Sequence, residues 1–394
     1  MHRVAPLLLT GMLSLGGACG GNNATGPNNS RADGTSLTDL SLAASITWDP
    51  RSQMKQVAST KGCDSWTPTW APDGNLYSGY GDCQMRGVPL KLGMGFARIS
   101  GSTGYGVSVT PVPTGDPANW NDAATGAGVD ATGNGTASEK PAGMLQVGSR
   151  LWASIRNINA GGTGVRLKYS DNYSSTSPDF TWLSWTFSEL GYASFVEYGK
   201  AYAGGPTSYV YAVIPMRSST TGSVSNSAYD AVPAFGLIRG SRTDLKVRSN
   251  WRYFCGTSTS PAWCSSASSA KNVFFKSGTK FRPRPGMSWN PGLGRFMLVL
   301  VYDPTPTTTS DDTRFFGALM VLTSANPWGP WLTVFSSGSN IWPGGTSTTG
   351  CGSTGWGAGD RADIPTKYMS TDGKTFYLFS SGGDCLSIAR GVLP

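Results

Sequence analysis

The chain has 394 residues, of which only 14% are charged, with a formal net charge of +8, 53 glycines and 25 prolines. That length allows one large domain or two smaller ones, and the turn-rich composition without long amphipathic helical patterns predicts an all-β protein. The only histidine, His2, lies in a predicted export signal, which excludes a Ser-His-Asp triad, a Cys-His dyad and histidine-ligated zinc from the mature chain. Lysines and arginines are scattered rather than clustered, so nucleic acid is not an expected partner.

Residues 1–18 predict a signal peptide, with a polar start, an apolar run and three small residues. Cys19 follows, where a bacterial lipoprotein carries its lipid. Gly16 stands where such signals usually have leucine, so plain secretion is the alternative. Residues 19–40 are rich in Gly, Asn, Ser and Thr and predict a flexible tether before a β domain over 41–394. We expect an exported monomer that touches the membrane only through its lipid anchor.

The stretch from Cys63 to Cys83 predicts two short strands joined by a turn at Asp73. The two cysteines, and likewise Asp64 and Asp82, are centred on Asp73, so one antiparallel register brings both pairs face to face. Two carboxylates about 5 Å apart are the arrangement of a retaining glycosidase, with one as nucleophile and one as general acid. The alternative is that an aspartate caps a turn or binds backbone amides.

From there the chain repeats a unit of three or four strands five times. The predicted second strands are Asn75–Asp82, Arg150–Asn157, Ser208–Pro215, Arg295–Tyr302 and Thr375–Gly382. The predicted third strands are Gly95–Gly101, Val165–Ser170, Phe235–Gly240, Phe316–Thr323 and Cys385–Val392. The last unit runs out of chain before a fourth strand, which Leu42–Trp48 can supply. The predicted fold is therefore a five-bladed β-propeller whose fifth blade is closed by an N-terminal strand, and a two-sheet sandwich is the alternative.

Six cysteines remain after Cys19, and an even number in an exported protein indicates three disulfides. Sequence alone allows about 15 connectivities for six cysteines. The hairpin register favours Cys63–Cys83, proximity favours Cys255–Cys264, and the remainder is Cys351–Cys385.

Other candidate substrate-binding residues are expected at the mouth of the central channel, because the first strand of each propeller blade lines the axis. Lys140 and Arg156 are centred on Gly148 and are predicted to face each other there, holding sugar hydroxyls and biasing the pKa values of the aspartates. A solvent-exposed cation pair is the alternative. Weaker candidates are Glu197, which is predicted to start the inner strand of the third unit, and Arg284, Asp363 and Lys367. Trp66, Tyr80 and Trp289 are candidate sugar-stacking rings or, more simply, packing residues. No metal ligands or cofactor are expected, although propellers often hold a structural ion on the axis.

Several of these motifs together resemble the propellers of the family "domain of unknown function 4185". They are the Asp64–Asp82 hairpin and Gly95-Phe96-Ala97, followed by Lys140–Met144, Tyr198–Lys200, Asn290–Arg295, Asn326–Trp331 and Ser370–Gly373. Characterised members are endo-D-arabinanases of glycoside hydrolase family 183, which cut mycobacterial arabinan with retention. The resemblance implies Asp64 and Asp82 as the catalytic pair. The tether, the extra cysteines and the loops depart from the family, and loops set substrate choice on a propeller.

The sequence thus predicts a glycosidase acting on an arabinan-like or other cell-wall or plant polysaccharide. Three alternatives remain open. They are a non-catalytic glycan-binding propeller, a lyase or hydrolase of acidic polysaccharide suggested by Lys140, Arg156 and the positive net charge, and a structural surface protein.

Overall fold

A computed structural model describes residues 46–394 except 117–127, 134, 136–137, 160, 207, 305–312, 345–349 and 353–355. The predicted signal peptide, Cys19 and the tether lie outside the described residues. Among the residues that are described, no helix is long and apolar enough to cross a membrane.

The described residues form antiparallel meanders of short strands. Two strands come first, β1 (Thr47–Trp48) and β2 (Lys55–Gln56). The first meander is β3 (Thr69–Trp70), β4 (Leu76–Cys83), β5 (Leu92–Ser100) and β6 (Ser108–Pro111), and the second is β7 (Lys140–Val147), β8 (Arg150–Asn159), β9 (Thr163–Ser170) and β10 (Thr181–Phe187). The third contains β11 (Ser194–Glu197), β12 (Tyr209–Met216), β13 (Ala234–Ser241), β14 (Arg252–Phe254), β15 (Trp263–Cys264) and β16 (Asn272–Phe275).

The chain completes two more meanders before it ends. The fourth is β17 (Gly286–Asn290), β18 (Arg295–Tyr302), β19 (Ala318–Ser324) and β20 (Leu332–Ser336), with the short helix α1 (Thr313–Phe316) between β18 and β19. The fifth is β21 (Ala362–Asp363), β22 (Thr375–Ser380) and β23 (Ser387–Val392). Single 3₁₀ turns lie at Arg51–Gln53, Ala58–Thr60, Lys200–Tyr202, Arg248–Asn250, Ala267–Ser269 and Thr366–Tyr368.

Local sequence explains the hairpins and the central strands. Gly148 and Gly294 sit in the tight turns before β8 and β18 with φ of 58° and 63°, a conformation that costs glycine little. The strand β18 reads RFMLVLVY and is buried along its whole length. A strand covered on both faces loses the alternation of polar and apolar residues, which is why this stretch is almost entirely hydrophobic.

The first strands of successive meanders lie next to one another. The strands β11 and β17 pair in parallel, with Val196 opposite Met287, and β3–β7, β7–β11 and β17–β21 are also in contact. The last meander meets the first, because Ser65 donates its backbone N–H to Ser381 Oγ at 3.0 Å. A closed series of meanders with their first strands innermost is a β-propeller.

The N-terminal closure is confirmed for Thr47 and Trp48, which form β1 and pair antiparallel with β23, whereas residues 42–45 of the predicted strand lie outside the described residues. The three predicted disulfides are also confirmed. The predicted second and third strands agree with the observed ones to within three residues, except that Phe316 ends α1 rather than starting β19. The number of blades stays a prediction, because the third and fourth meanders share one ten-stranded sheet.

Candidate active site

Asp64 lies just before the first strand of the first meander, and its carboxyl group is buried. Its backbone exchanges two hydrogen bonds with Gly81, at 3.0 and 2.9 Å. Its Oδ1 has no hydrogen-bond partner among the described residues and points at Gly81, where an added Cβ would lie 2.8 Å away. Burial, followed by the charges of Asp360 and Asp82, raises the pKa of Asp64 to about 6. A carboxyl group in this setting can hold a proton near neutral pH.

Asp82 is the last residue but one of β4 and forms an ion pair with a buried lysine. Lys140 Nζ donates to Asp82 Oδ1 at 2.5 Å, and the Asp82 side chain keeps 28% of its surface exposed while Lys140 keeps 1%. Lys140 also donates to the carbonyl of Gly93 at 3.3 Å. Asp82 is therefore a carboxylate in an ion pair that solvent can reach.

The predicted pairing of Asp64 with Asp82 is wrong by one residue. The hairpin starts in the predicted register, with Trp70 opposite Leu76, but further along Asp64 is opposite Gly81. Ser65 and Asp82 both have φ of 56°, so the two strands depart from regular pairing between these points. The two carboxylates still act on each other electrostatically, because Asp82 contributes to the raised pKa of Asp64.

A third carboxylate, Asp360, was not predicted as a site residue. Arg282 donates to its Oδ1 at 2.6 Å, and Arg284 lies 2.9 Å from its Oδ2. Burial alone raises the pKa of Asp360, but the charges of Arg284 and Arg282 outweigh it and hold the pKa well below its usual range. Asp360 precedes the first strand of the last meander, just as Asp64 precedes the first strand of the first meander. This equivalent position in the repeat is the sequence feature that could have predicted Asp360.

Arg156 and Arg284 lie at the same site beneath the ring of Tyr229. Arg156 is directly opposite Lys140 as predicted, and its guanidinium carbon is 5.1 Å from the Tyr229 ring centre, against 5.5 Å for Arg284. Burial, then the charge of Arg284, lowers the pKa of Arg156. Burial also lowers the pKa of Arg284, but the charges of Asp360 and Asp64 reverse this and raise it. The predicted solvent-exposed alternative for Lys140 and Arg156 is wrong, because both side chains are buried.

The carboxylate of Asp363, a predicted substrate-binding residue, is hydrogen-bonded within the protein. Arg361 donates to both of its oxygens, at 2.6 and 3.0 Å. The same guanidinium donates to the Ala142 carbonyl at 2.8 Å, to Tyr192 Oη at 2.9 Å and to Ser194 Oγ at 2.8 Å. All five N–H groups of Arg361 therefore have acceptors. This contact ties together the second, third and fifth meanders.

Glu197, Lys367 and Trp289 lie away from Asp64, which corrects their predicted place at the same mouth. Glu197 ends β11 rather than starting it, and it accepts the backbone N–H groups of Trp70 at 3.2 Å and Thr366 at 3.0 Å. Thr366 also donates to the Trp289 carbonyl, and Lys367 is the next residue. Because the first strands run away from Asp64, residues at their far ends cluster around Thr366 instead. Burial raises the pKa of Glu197 to about 7.

The predicted sugar-stacking role of Trp66 and Tyr80 is contradicted by their burial. Their ring centres are 5.6 Å apart, and they are 2% and 0% exposed. Both belong to the apolar cluster between the first and last meanders, with Phe379, Leu386 and Ile388 among its other members. These rings join the meanders and are not available to a ligand.

Two clefts lie elsewhere on the described surface. One, of about 180 Å³, is lined by Val147, Arg150 and Lys246 at the end of β7 and β8 opposite to Lys140 and Arg156. Of its two acidic residues, Asp171 accepts hydrogen bonds from Arg150 at both oxygens, at 2.6 and 2.8 Å, and Asp244 accepts one from Asn250 at 3.3 Å. The other, of about 270 Å³, lies beside Lys280 and Tyr302. Neither is lined by Asp64, Asp82 or Asp360.

No family model matches the sequence, so the resemblance to the domain of unknown function 4185 is not confirmed. No characterised protein matches it either. Among solved structures, a GH43_1 enzyme from Xanthomonas citri is 11% identical, with a TM-score of 0.46 over 86% of this chain and 90% of that one. The catalytic domain of a GH62 alpha-L-arabinofuranosidase from Coprinopsis cinerea is 9% identical, with a TM-score of 0.44 over 89% and 97%. The alpha-L-arabinofuranosidase PaAbf62A from Podospora anserina, in complex with cellotriose, is 8% identical, with a TM-score of 0.45 over 89% and 98%. Likenesses this weak assign neither a family nor an activity.

Proposed function

We propose that the protein is a retaining glycoside hydrolase that acts at the mouth formed by Asp64 and Asp82. The observation that supports this is a buried carboxyl group, Asp64, whose pKa is raised to about 6, beside a second carboxylate that is ion-paired with Lys140. Two carboxyl groups whose surroundings differ in this way divide into a proton donor and a nucleophile.

Asp82 suits the nucleophile better than Asp360 does. Each oxygen of Asp360 contacts an arginine, Arg282 on one side and Arg284 on the other, and the group is buried. Lys140 contacts only Oδ1 of Asp82, and the side chain is partly exposed. We therefore assign Asp360 to positioning the arginines and to raising the pKa of Asp64 through its charge.

The reaction then follows from these roles. Asp82 attacks the anomeric carbon while Asp64 gives its proton to the leaving glycosidic oxygen, which forms a glycosyl ester on Asp82 and releases the first product. Asp64, now ionised, takes a proton from water as the water oxygen attacks the anomeric carbon, which breaks the bond from that carbon to Asp82 and releases Asp82 and the second product. On the resemblance stated above, we expect the cleaved glycosidic bond to join furanose residues, as it does in arabinan.

The test uses the purified chain on arabinan and other furanose polysaccharides. Asp64→Asn and Asp82→Asn should each reduce product formation by at least about a thousandfold while the protein stays folded, because each removes a group that acts in the transition state. Azide, added as an external nucleophile, distinguishes the two roles. It should restore activity to Asp64→Ala with a glycosyl azide of retained configuration, and to Asp82→Gly with one of inverted configuration.

Two outcomes would contradict the proposal. One is full activity in either asparagine variant. The other is glycan binding without product in the unmodified chain, which is the behaviour of a non-catalytic glycan-binding propeller.

A further inference from the structure

Arg156 is a fully buried cation that lacks an anionic partner among the described residues. It is 1% exposed, its Nε has no hydrogen-bond partner, and its one side-chain hydrogen bond is a long one, 3.5 Å from Nη1 to Asn157 Oδ1. Buried guanidinium groups are normally paired, because removing the charge from water is costly. Its neighbour Arg284, also a cation, adds to that cost.

Arg361 shows what a structural arginine looks like in the same protein. It is buried to a similar depth, and all five of its N–H groups have acceptors, two of them on the carboxylate of Asp363. Arg156 contacts aromatic faces instead, at 5.1 Å from Tyr229 and 5.9 Å from Tyr192. Ring contacts of this kind satisfy a cation only in part. Packing alone therefore leaves the Arg156 side chain incompletely satisfied.

The other described cations near Arg156 have carboxylate partners. Lys140 pairs with Asp82, and Arg282 and Arg284 share Asp360. Arg156 is left with Asp64, which acts on its charge from a distance. When Asp64 holds the proton that the proposed reaction requires, that carboxyl group no longer offsets the charge of Arg156.

Solvent reaches this group on the side where the reaction is proposed. The side chains of Asp82 and Arg282 are 28% and 13% exposed, and Tyr229, which covers both Arg156 and Arg284, is half-buried. A ligand that reaches Asp82 therefore approaches Arg156 and Arg284, which the half-buried ring of Tyr229 covers only in part.

We propose that Arg156, with Arg284 beside it, binds an anionic substituent of the glycan, so that the substrate is an acidic polysaccharide whose carboxylate or sulfate ester lies against these guanidinium groups. This inference rests on the proposed function and names its substrate class. The group bound is a planar or tetrahedral oxyanion, which guanidinium recognises with two parallel hydrogen bonds.

The experiment measures binding to the full chain carrying Asp64→Asn, so that bound glycan is not consumed. The carboxylate probes are oligogalacturonides, each compared with its carboxyl-reduced form. The sulfate probes are sulfated galactan oligosaccharides, each compared with its desulfated form. At least one anionic probe should bind about 10- to 100-fold more tightly than its neutral counterpart. Adding Arg156→Met should remove that ratio, while Arg156→Lys should keep part of it.

Arg150→Met is the matched control. Arg150 is a cation on the same strand, but it pairs with Asp171 at the opposite end of β8, so its removal should leave the ratio unchanged. Equal affinity for charged and neutral forms, no binding to any anionic probe, or a ratio that survives Arg156→Met would each overturn the inference.

Failure of this inference is distinct from failure of the proposed function. Cleavage of neutral arabinan that depends on Asp64 and is indifferent to Arg156→Met would leave the hydrolase standing and remove the anion site. Tight, Arg156-dependent binding of an acidic glycan that is never cleaved would do the reverse.

Discussion

Replacing Arg361 by methionine tests whether the tie between meanders stabilises the fold. The guanidinium makes five hydrogen bonds, two to Asp363 and one each to Ala142, Tyr192 and Ser194. Methionine fills much of the same volume and makes none of them. The substitution leaves Asp363 as an unpaired carboxylate in a site where burial already raises its pKa, in spite of the opposing charge of Arg361.

The expected loss in the free energy of unfolding is about 3–5 kcal/mol, the usual cost of removing one partner of a buried ion pair. At an unfolding entropy of about 2.1 cal/mol/K per residue, a chain of roughly 350 folded residues would lose about 4–7 °C in melting temperature. Scanning calorimetry at pH 7 measures this shift. A second substitution, Asp363→Asn, removes the orphaned charge, so the double variant should be more stable than Arg361→Met alone by about 1–3 kcal/mol.

Arg156→Met is the matched control, because Arg156 is equally buried and has no anionic partner among the described residues. Its free energy of unfolding should change by less than about 1 kcal/mol or rise, since removing an uncompensated buried charge relieves a penalty. A melting temperature for Arg361→Met within 1 °C of the unmodified chain, or a double variant that simply adds the two losses, would refute the reasoning.

Three further predictions concern pH, packing and crosslinking. The pKa values of Asp64 (about 6) and Glu197 (about 7) are raised, so the folded state binds more protons than the unfolded chain between about pH 4 and 7. The free energy of unfolding, measured by urea titration at pH 5, 6 and 7, should therefore fall as pH rises. Asp64→Asn should make this fall with pH smaller, and an unchanged dependence on pH would contradict the raised pKa of Asp64. Gly81→Ala places a Cβ 2.8 Å from Asp64 Oδ1 and 3.2 Å from the Gly93 carbonyl oxygen. The Asp64 carboxyl group must then shift, so activity should fall at least about tenfold with a small loss of stability. Unchanged kinetics would show that the reaction does not depend on the present position of that carboxyl group. Replacing Cys63 and Cys83 by serine opens a disulfide loop with a sequence separation of 20 and should lower the free energy of unfolding by about 3 kcal/mol. It should also reduce activity more than opening Cys255–Cys264, which lies far along the chain from both aspartates.

Short-range geometry was predictable because turn chemistry fixes it. Gly148 and the residues around it set the register of β7 and β8, and the structure places Lys140 opposite Arg156 as the symmetry of the hairpin requires. The hairpin at Asp73 also starts in its predicted register. The pairing of Cys63 with Cys83 tolerated the later irregularity, because a disulfide accepts a range of separations between Cα atoms.

The errors in the predicted site arose where backbone conformation or contacts between distant parts of the chain determine the geometry. The one-residue slip that puts Asp64 opposite Gly81 depends on left-handed conformations at Ser65 and Asp82, neither of which is a glycine. Glu197 was placed at the wrong end of its strand because the strand is only four residues long, so a small error in its start reverses the end at which it lies. Asp360 was overlooked because the arginines that make it informative are about 80 residues away in the chain.

The position of the charged groups follows from the order of the strands. Because the paired first strands β11 and β17 are parallel, the residues that precede them lie at the same end of the molecule. Asp64, Arg284 and Asp360 each precede a first strand, and they act on one another electrostatically although they are far apart in sequence. The core depends instead on apolar strands such as β18, which is buried along its whole length, so the charged groups can change without loss of the core. Under the proposal made above, a bound anion would offset the cost of burying the Arg156 charge. Arg361 needs no ligand, because its five N–H groups all have acceptors within the protein.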